Sequence, residues 1–130
     1  MPNPGDLAPW RRLRNATRYS LQGLRACYRH EQAFRQEVGV LLLALPLGAW
    51  FGETGVERVL LIGSWLVVLI VELLNSAIES VVDRIGDEPH KLSGRAKDMG
   101  SAAVFLSLML VLVLWGTIAV SRFFPGLIPY

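Results

Sequence analysis

The chain has 130 residues, 52% of them hydrophobic and 18% charged, and a formal net charge of +2. It is too short for a protein-kinase fold or a TIM barrel and holds no G-x-x-x-x-G-K-[ST] phosphate loop. Its single cysteine, Cys27, excludes an intrachain disulfide framework and a four-cysteine zinc site. The mean hydropathy is +0.40 and the apolar residues are bunched, which identifies an integral membrane protein rather than a small soluble domain.

Residues 1–37 are strongly basic, with Arg11, Arg12, Arg14, Arg18, Arg25, Arg29 and Arg35. Apolar residues recur at Leu13, Ala16, Leu21, Leu24, Ala26 and Tyr28. Both features predict an amphipathic surface helix over about residues 7–30, its arginines near anionic headgroups. A secretory signal would have a short basic start followed at once by an apolar run.

The first apolar run, Val38 to Phe51, is fourteen residues long; a span needs about 20. The first span is therefore placed at 31–51, with Glu31, Arg35 and Glu37 at its start. Pro46 should kink it mildly, which bilayer helices tolerate. Gly52-Glu53-Thr54-Gly55 reads as a turn. The second span is expected at 56–83, free of charge from Val59 to Val71. The segment 84–98, with Gly86, Pro89 and Gly94, reads as a charged loop. The third span, 99–121, has 23 residues without a charge, and a short aromatic tail ends at Tyr130. The whole is one all-α membrane domain.

Eleven of the thirteen Lys and Arg residues fall in 1–37 or 83–98; Arg58 and Arg122 are the other two. By the positive-inside rule the N-terminus and the 83–98 segment are cytoplasmic, and the 52–58 turn and the C-terminus lie outside.

The second span carries the informative pattern. Glu72, Asn75, Ser76, Glu79 and Asp83 stand at offsets 0, 3, 4, 7 and 11, one face of a 3.6-residue period. The stripe covers roughly 16 Å of helix axis, from inside the hydrocarbon to the cytoplasmic surface. A carboxylate in hydrocarbon costs about 2.5–3.5 kcal/mol or more. A seam that only fixed packing would be built more cheaply from Asn, Gln or Ser, so two carboxylates seven residues apart point to function. Glu31, Arg35, Gln36 and Glu37 at the start of the first span and Arg95, Lys97 and Asp98 before the third belong at the same membrane face. Carboxylates can hold Mg²⁺ together with substrate phosphates, cations can neutralise phosphate oxygens, and a deeper carboxylate can take a proton from a lipid hydroxyl. Those parts suit phosphoryl transfer from Mg·ATP to a lipid alcohol. Gly94-Arg95-Ala96-Lys97-Asp98-Met99-Gly100-Ser101 could wrap phosphate with backbone amides, or be an ordinary loop leading into a helix. His30 and His90 stand too far apart in sequence to suggest zinc, and Cys27 reads as a silent thiol.

Three stretches carry a family resemblance: Glu31-Gln32-Ala33-Phe34-Arg35-Gln36-Glu37; Val71-Glu72-Leu73-Leu74-Asn75-Ser76-Ala77-Ile78-Glu79 through Asp83-Arg84-Ile85-Gly86; and Leu92-Ser93-Gly94-Arg95-Ala96-Lys97-Asp98-Met99-Gly100-Ser101-Ala102-Ala103. With Tyr19-Ser20-x-x-Gly23-Leu24-Arg25-Ala26 they span roughly residues 12–121, and the chain resembles the small prokaryotic membrane diacylglycerol kinases. Pro89 and Lys91 depart from the family's pattern. The resemblance implies a homotrimer in the bacterial inner membrane, three spans and a surface helix per chain, with active sites between subunits. It implies Glu72 as general base and Glu31 and Glu79 on the metal of Mg·ATP. It places Asn75, Lys97, Asp98, Tyr19, Glu88 and His90 with Glu31 and Glu79 in the nucleotide site. Arg12, Phe34, Arg35, Gln36, Glu37 and Ser101 fall where family members contact lipid or shape its site beside Glu72. Expected partners are ATP, a membrane lipid and other copies of the chain, not nucleic acid.

Diacylglycerol is the expected acceptor, and undecaprenol phosphorylated by the same groups is the nearest alternative. A proton-coupled exporter cycling a proton on Glu72 would need no Mg²⁺ site and leaves Glu31, Glu79, Lys97 and Asp98 without a role. A non-catalytic assembly protein leaves the stripe unexplained.

Overall fold

The computed structural model describes residues 3–128, so Pro129 and Tyr130 at the end of the expected tail lie outside it. After a 3-10 turn at Pro4–Asp6 the described residues form four helices: α1, Pro9–His30; α2, Gln32–Phe51; α3, Gly55–Ile85; and α4, Lys91–Phe123. Helices α2, α3 and α4 are each long and apolar enough to cross a membrane. The middle one is central: 39% of its most apolar window is buried, against 17% for each of the others.

Helices α1 and α2 meet at a single extended residue, Glu31 (φ −113°, ψ 112°). The Arg35 guanidinium turns back and donates to Tyr28 O (2.8 Å) and Arg29 O (3.0 Å). It thereby satisfies carbonyls that the end of α1 leaves open. Cys27, Phe34 and Leu69 form a small core where α1, α2 and α3 meet, extended by Val38, Leu41 and Leu73. Leu61 and Val68, both on α3, are fully buried. Helix α2 runs unbroken through Pro46.

The turn into α3 is set by Thr54 and Glu57. The Glu57 N–H donates to Thr54 Oγ1 (3.1 Å), and Glu57 Oε2 accepts from the N–H groups of Glu53 (2.8 Å) and Thr54 (3.2 Å). That is a capping box. Arg58 donates to Ala49 O and Gly52 O, both at 3.1 Å. A side chain at Gly52 would strike the Arg58 backbone and Cγ, so the close approach there requires glycine. From α4, Arg122 Nη1 donates to Trp50 O (2.8 Å) and Phe51 O (2.9 Å) and lies over the Trp50 ring at 4.8 Å. Trp115 Nε1 donates to Leu61 O (3.1 Å) and Ser64 Oγ (3.3 Å), tying α4 to α3.

One expectation is corrected. The segment 84–98 is not a loop throughout: α3 continues to Ile85, and α4 begins at Lys91, leaving only 86–90 as connection. His90 caps α4, its Nδ1 accepting from the Leu92 N–H (3.1 Å). Lys91, Leu92, Arg95, Ala96 and Lys97 are good helix formers, and Gly94 alone opposes them. Charge marks where the apolar layer ends; the helix simply extends beyond it. Gly94–Ser101 therefore lies within α4, its backbone amides engaged along the helix instead of free to wrap a phosphate.

Candidate active site

The polar stripe of α3 is buried at its deep end and open at its shallow end. Glu72, Asn75 and Ser76 are 5%, 9% and 7% exposed, Glu79 is half-buried, and Asp83 is exposed. This gradient follows from packing: Cys27 of α1 lies on Ser76 and Gly100 of α4 lies against Asn75, whereas Asp83 lies two residues from the end of α3. Cys27 Sγ meets Ser76 Oγ at 3.7 Å. Burial pushes the Cys27 thiol above its ordinary range, so it stays protonated and unreactive.

Glu31, from the α1–α2 joint, and Glu79 both lie close enough to Glu72 for their charges to act on it. Glu37, on α2, feels Glu72 in the same way, and its buried Oε2 has no hydrogen-bond partner. Glu72 is thus the centre of an acidic cluster, with Glu31, Glu37 and Glu79 each acting on it or feeling it. Like charges gathered in a partly dry site raise one another's energy unless cations or protons join them.

Among the described residues no three His, Cys, Asp or Glu side chains are grouped to hold a metal by themselves. The donors fit the other Mg²⁺ arrangement, one or two carboxylates with the remaining positions left to phosphate and water. Glu79 is oriented for that use: Asn75 Nδ2 donates to its Oε1 (3.3 Å), leaving Oε2 free of that bond. Glu31 is half-buried at the joint beside a cleft of about 330 Å³ lined by Gly23, Cys27, His30, Ser76 and Ser80, among others.

The expected phosphate-binding cation, Lys97, reaches back from α4 to pair with Asp83 (Nζ–Oδ1 2.8 Å). Asp83, Glu88, His90 and Lys97 line one open depression at the α3–α4 connection, and Asp98 joins His90 and Arg95 in the next. The structure therefore brings Glu88, His90 and Lys97 together and places Glu31, Glu37 and Glu79 each within electrostatic reach of Glu72. Asn75 belongs to the second group through Glu79. Arg12 and Tyr19 lie exposed on α1. Gln36 and Ser101 are exposed on α2 and α4. Phe34 is buried in the three-helix core, and Arg35 is engaged in closing α1. Sequence reasoning missed Asp83 as the partner of Lys97; no local signal links two residues fourteen positions apart across a turn.

The prokaryotic diacylglycerol kinase family matches residues 18–119. The chain is 54% identical over 106 residues to a diacylglycerol kinase of Haemophilus influenzae, covering 82% of this chain and 90% of that one. It is 52% identical over 112 residues to the diacylglycerol kinase of Escherichia coli K12, covering 86% and 92%. A diacylglycerol kinase of Pseudomonas aeruginosa is 50% identical over 108 residues, covering 83% and 88%. With matches of this extent over the residues that build the acidic cluster, the chain belongs to the prokaryotic diacylglycerol kinase family.

Proposed function

We propose that this protein transfers the γ-phosphoryl group of Mg·ATP to the hydroxyl of diacylglycerol, giving phosphatidic acid and ADP. The observation that carries the reading is a buried carboxylate, Glu72, inside an apolar span and flanked by Glu31 and Glu79. Family membership supports the same activity.

In this reading Glu72 accepts the proton of the lipid hydroxyl as its oxygen attacks the γ-phosphorus in line. Glu31 and Glu79 hold the metal of Mg·ATP, which neutralises charge on the phosphates. Asn75 orients Glu79. Lys97, released from Asp83, meets phosphate oxygens, and Asp98, Glu88, His90 and Tyr19 complete the nucleotide side. Arg12, Phe34, Arg35, Gln36, Glu37 and Ser101 shape the path by which lipid arrives from the bilayer. Phe34 and Arg35 do so by holding the α1–α2 joint.

The arginines of α1 suit a helix lying on an anionic membrane surface, in a bacterial inner membrane with the N-terminus cytoplasmic. A homotrimer with sites shared between subunits fits the single chain's shape. One chain offers little surface to enclose a nucleotide and a lipid together, and large apolar side chains such as Leu42, Phe105, Leu106 and Leu112 stand exposed on it.

The test is ATP-dependent labelling of lipid by purified protein in mixed micelles, with diacylglycerol and undecaprenol offered separately, with and without Mg²⁺. Mg²⁺-dependent labelling of diacylglycerol is expected. Labelling of undecaprenol alone would move the substrate to a polyprenol. No labelling by a folded sample would turn the reading toward proton-coupled export on Glu72 or a non-catalytic role.

A further inference from the structure

Resting on the role proposed above for Glu79, we infer that Gly100 is a positioning residue for the metal-binding carboxylate, acting through Asn75. The chemistry of Asn75 settles its orientation. Glu79 as a carboxylate accepts, so the Asn75 amide must turn its NH₂ toward Glu79 Oε1. Its carbonyl oxygen then faces α4, where it is buried without a hydrogen-bond partner. What it faces is Gly100, itself buried. A Cβ built on Gly100 would collide with Asn75 Oδ1 and sit 3.3 Å from Asn75 Cγ, while its next neighbour, Ile78 Cδ1, lies at an ordinary 3.8 Å. The space that glycine leaves is thus filled by one group only. Gly100 lets the α4 backbone close upon α3 at the level of the site, and that wall keeps the carboxamide pointed at Glu79. Of the twelve glycines, Gly100 alone is placed against a side chain of the candidate site.

A methyl group at position 100 must push the carboxamide away and release Glu79. Loss of such an outer-shell support typically lowers metal affinity by roughly 10- to 100-fold. The experiment measures the initial rate of phosphate transfer to diacylglycerol against free Mg²⁺ for the full chain, Gly100→Ala, Asn75→Ala and the double variant, with thermal unfolding of each in micelles. Gly100→Ala should raise the Mg²⁺ concentration for half-maximal rate at least tenfold and leave the KM for diacylglycerol unmoved. Asn75→Ala should do the same, and the double variant should be no worse than Asn75→Ala, because the methyl group then has nothing to displace. An unmoved Mg²⁺ titration in Gly100→Ala, or losses that multiply in the double variant, would overturn the inference. If Gly100→Ala does not fold, the double variant decides: folding like Asn75→Ala supports action through Asn75, and failure to fold makes Gly100 a packing residue only. Should Asn75→Ala itself leave the Mg²⁺ titration unchanged, the metal role of Glu79 falls, and this inference with it. A shift in Asn75→Ala but not in Gly100→Ala removes this inference alone.

Discussion

Glu72 keeps its place in an apolar helix with 5% of its surface exposed. Glu72→Gln preserves volume and polarity while removing the capacity to take a proton. Turnover should fall by roughly 10²- to 10⁴-fold, with ATP binding and the unfolding midpoint retained. Normal kcat in the Glu72→Gln variant would exclude Glu72 as the base. On the metal role proposed for Glu79, Glu79→Gln preserves shape while weakening the oxygen donor, and the Mg²⁺ titration should move to higher concentration by roughly tenfold or more. An unchanged titration there would argue that Glu79 does not touch the metal. The residues that make these predictions possible are legible from spacing alone, since polar residues recurring in steps of three and four must share a helix face. The Asn75–Gly100 contact is not legible, because it depends on how closely two helices approach, and no periodicity encodes an interhelical distance.

At the scale of single elements, α3 starts where Thr54 and Glu57 exchange hydrogen bonds with each other's backbone. Thr54→Ala should cost about 1 kcal/mol of stability, read as an earlier midpoint in denaturant titration of the micellar protein followed by tryptophan fluorescence. An unshifted midpoint would mean that the helix start contributes nothing to folding. Helix ends of this kind are only partly visible in the sequence. Gly52-Glu53-Thr54-Gly55 marks a turn, but the 84–98 segment misleads, because hydropathy reports the edge of the apolar layer, whereas helix propensity and the His90 cap report the edge of the helix. The two boundaries differ by about two turns at the start of α4. Those extra turns carry Lys97 to Asp83, an exposed pair whose worth to stability is small and whose consequence is placement of the cation.

Across the whole molecule, three long apolar helices and a strongly uneven distribution of Lys and Arg are the basis of the proposed cytoplasmic N-terminus, which labelling tests. In a Cys27→Ser background, an Asp87→Cys variant should react with a membrane-impermeant maleimide only once the cytoplasmic face is opened. A Glu53→Cys variant should react from outside in intact cells. The reverse pattern would invert the topology and place the acidic cluster away from cytoplasmic ATP. The third span is legible as a long uncharged run and the first only once its fourteen apolar residues are extended back to Glu31; the links among the spans are not legible, since Arg122 and Trp50 stand 72 residues apart.

That last link bears on the order in which the protein is made. The open carbonyls at the end of α2 receive Arg58 soon after they emerge, but those of Trp50 and Phe51 wait for Arg122, near the end of the chain. The first span inserted is therefore finished only when the last has crossed the bilayer. A ribosome-bound chain lacking Arg122 holds an incompletely capped helix, so closure of the α2 end at Trp50 and Phe51 is a late event in biogenesis.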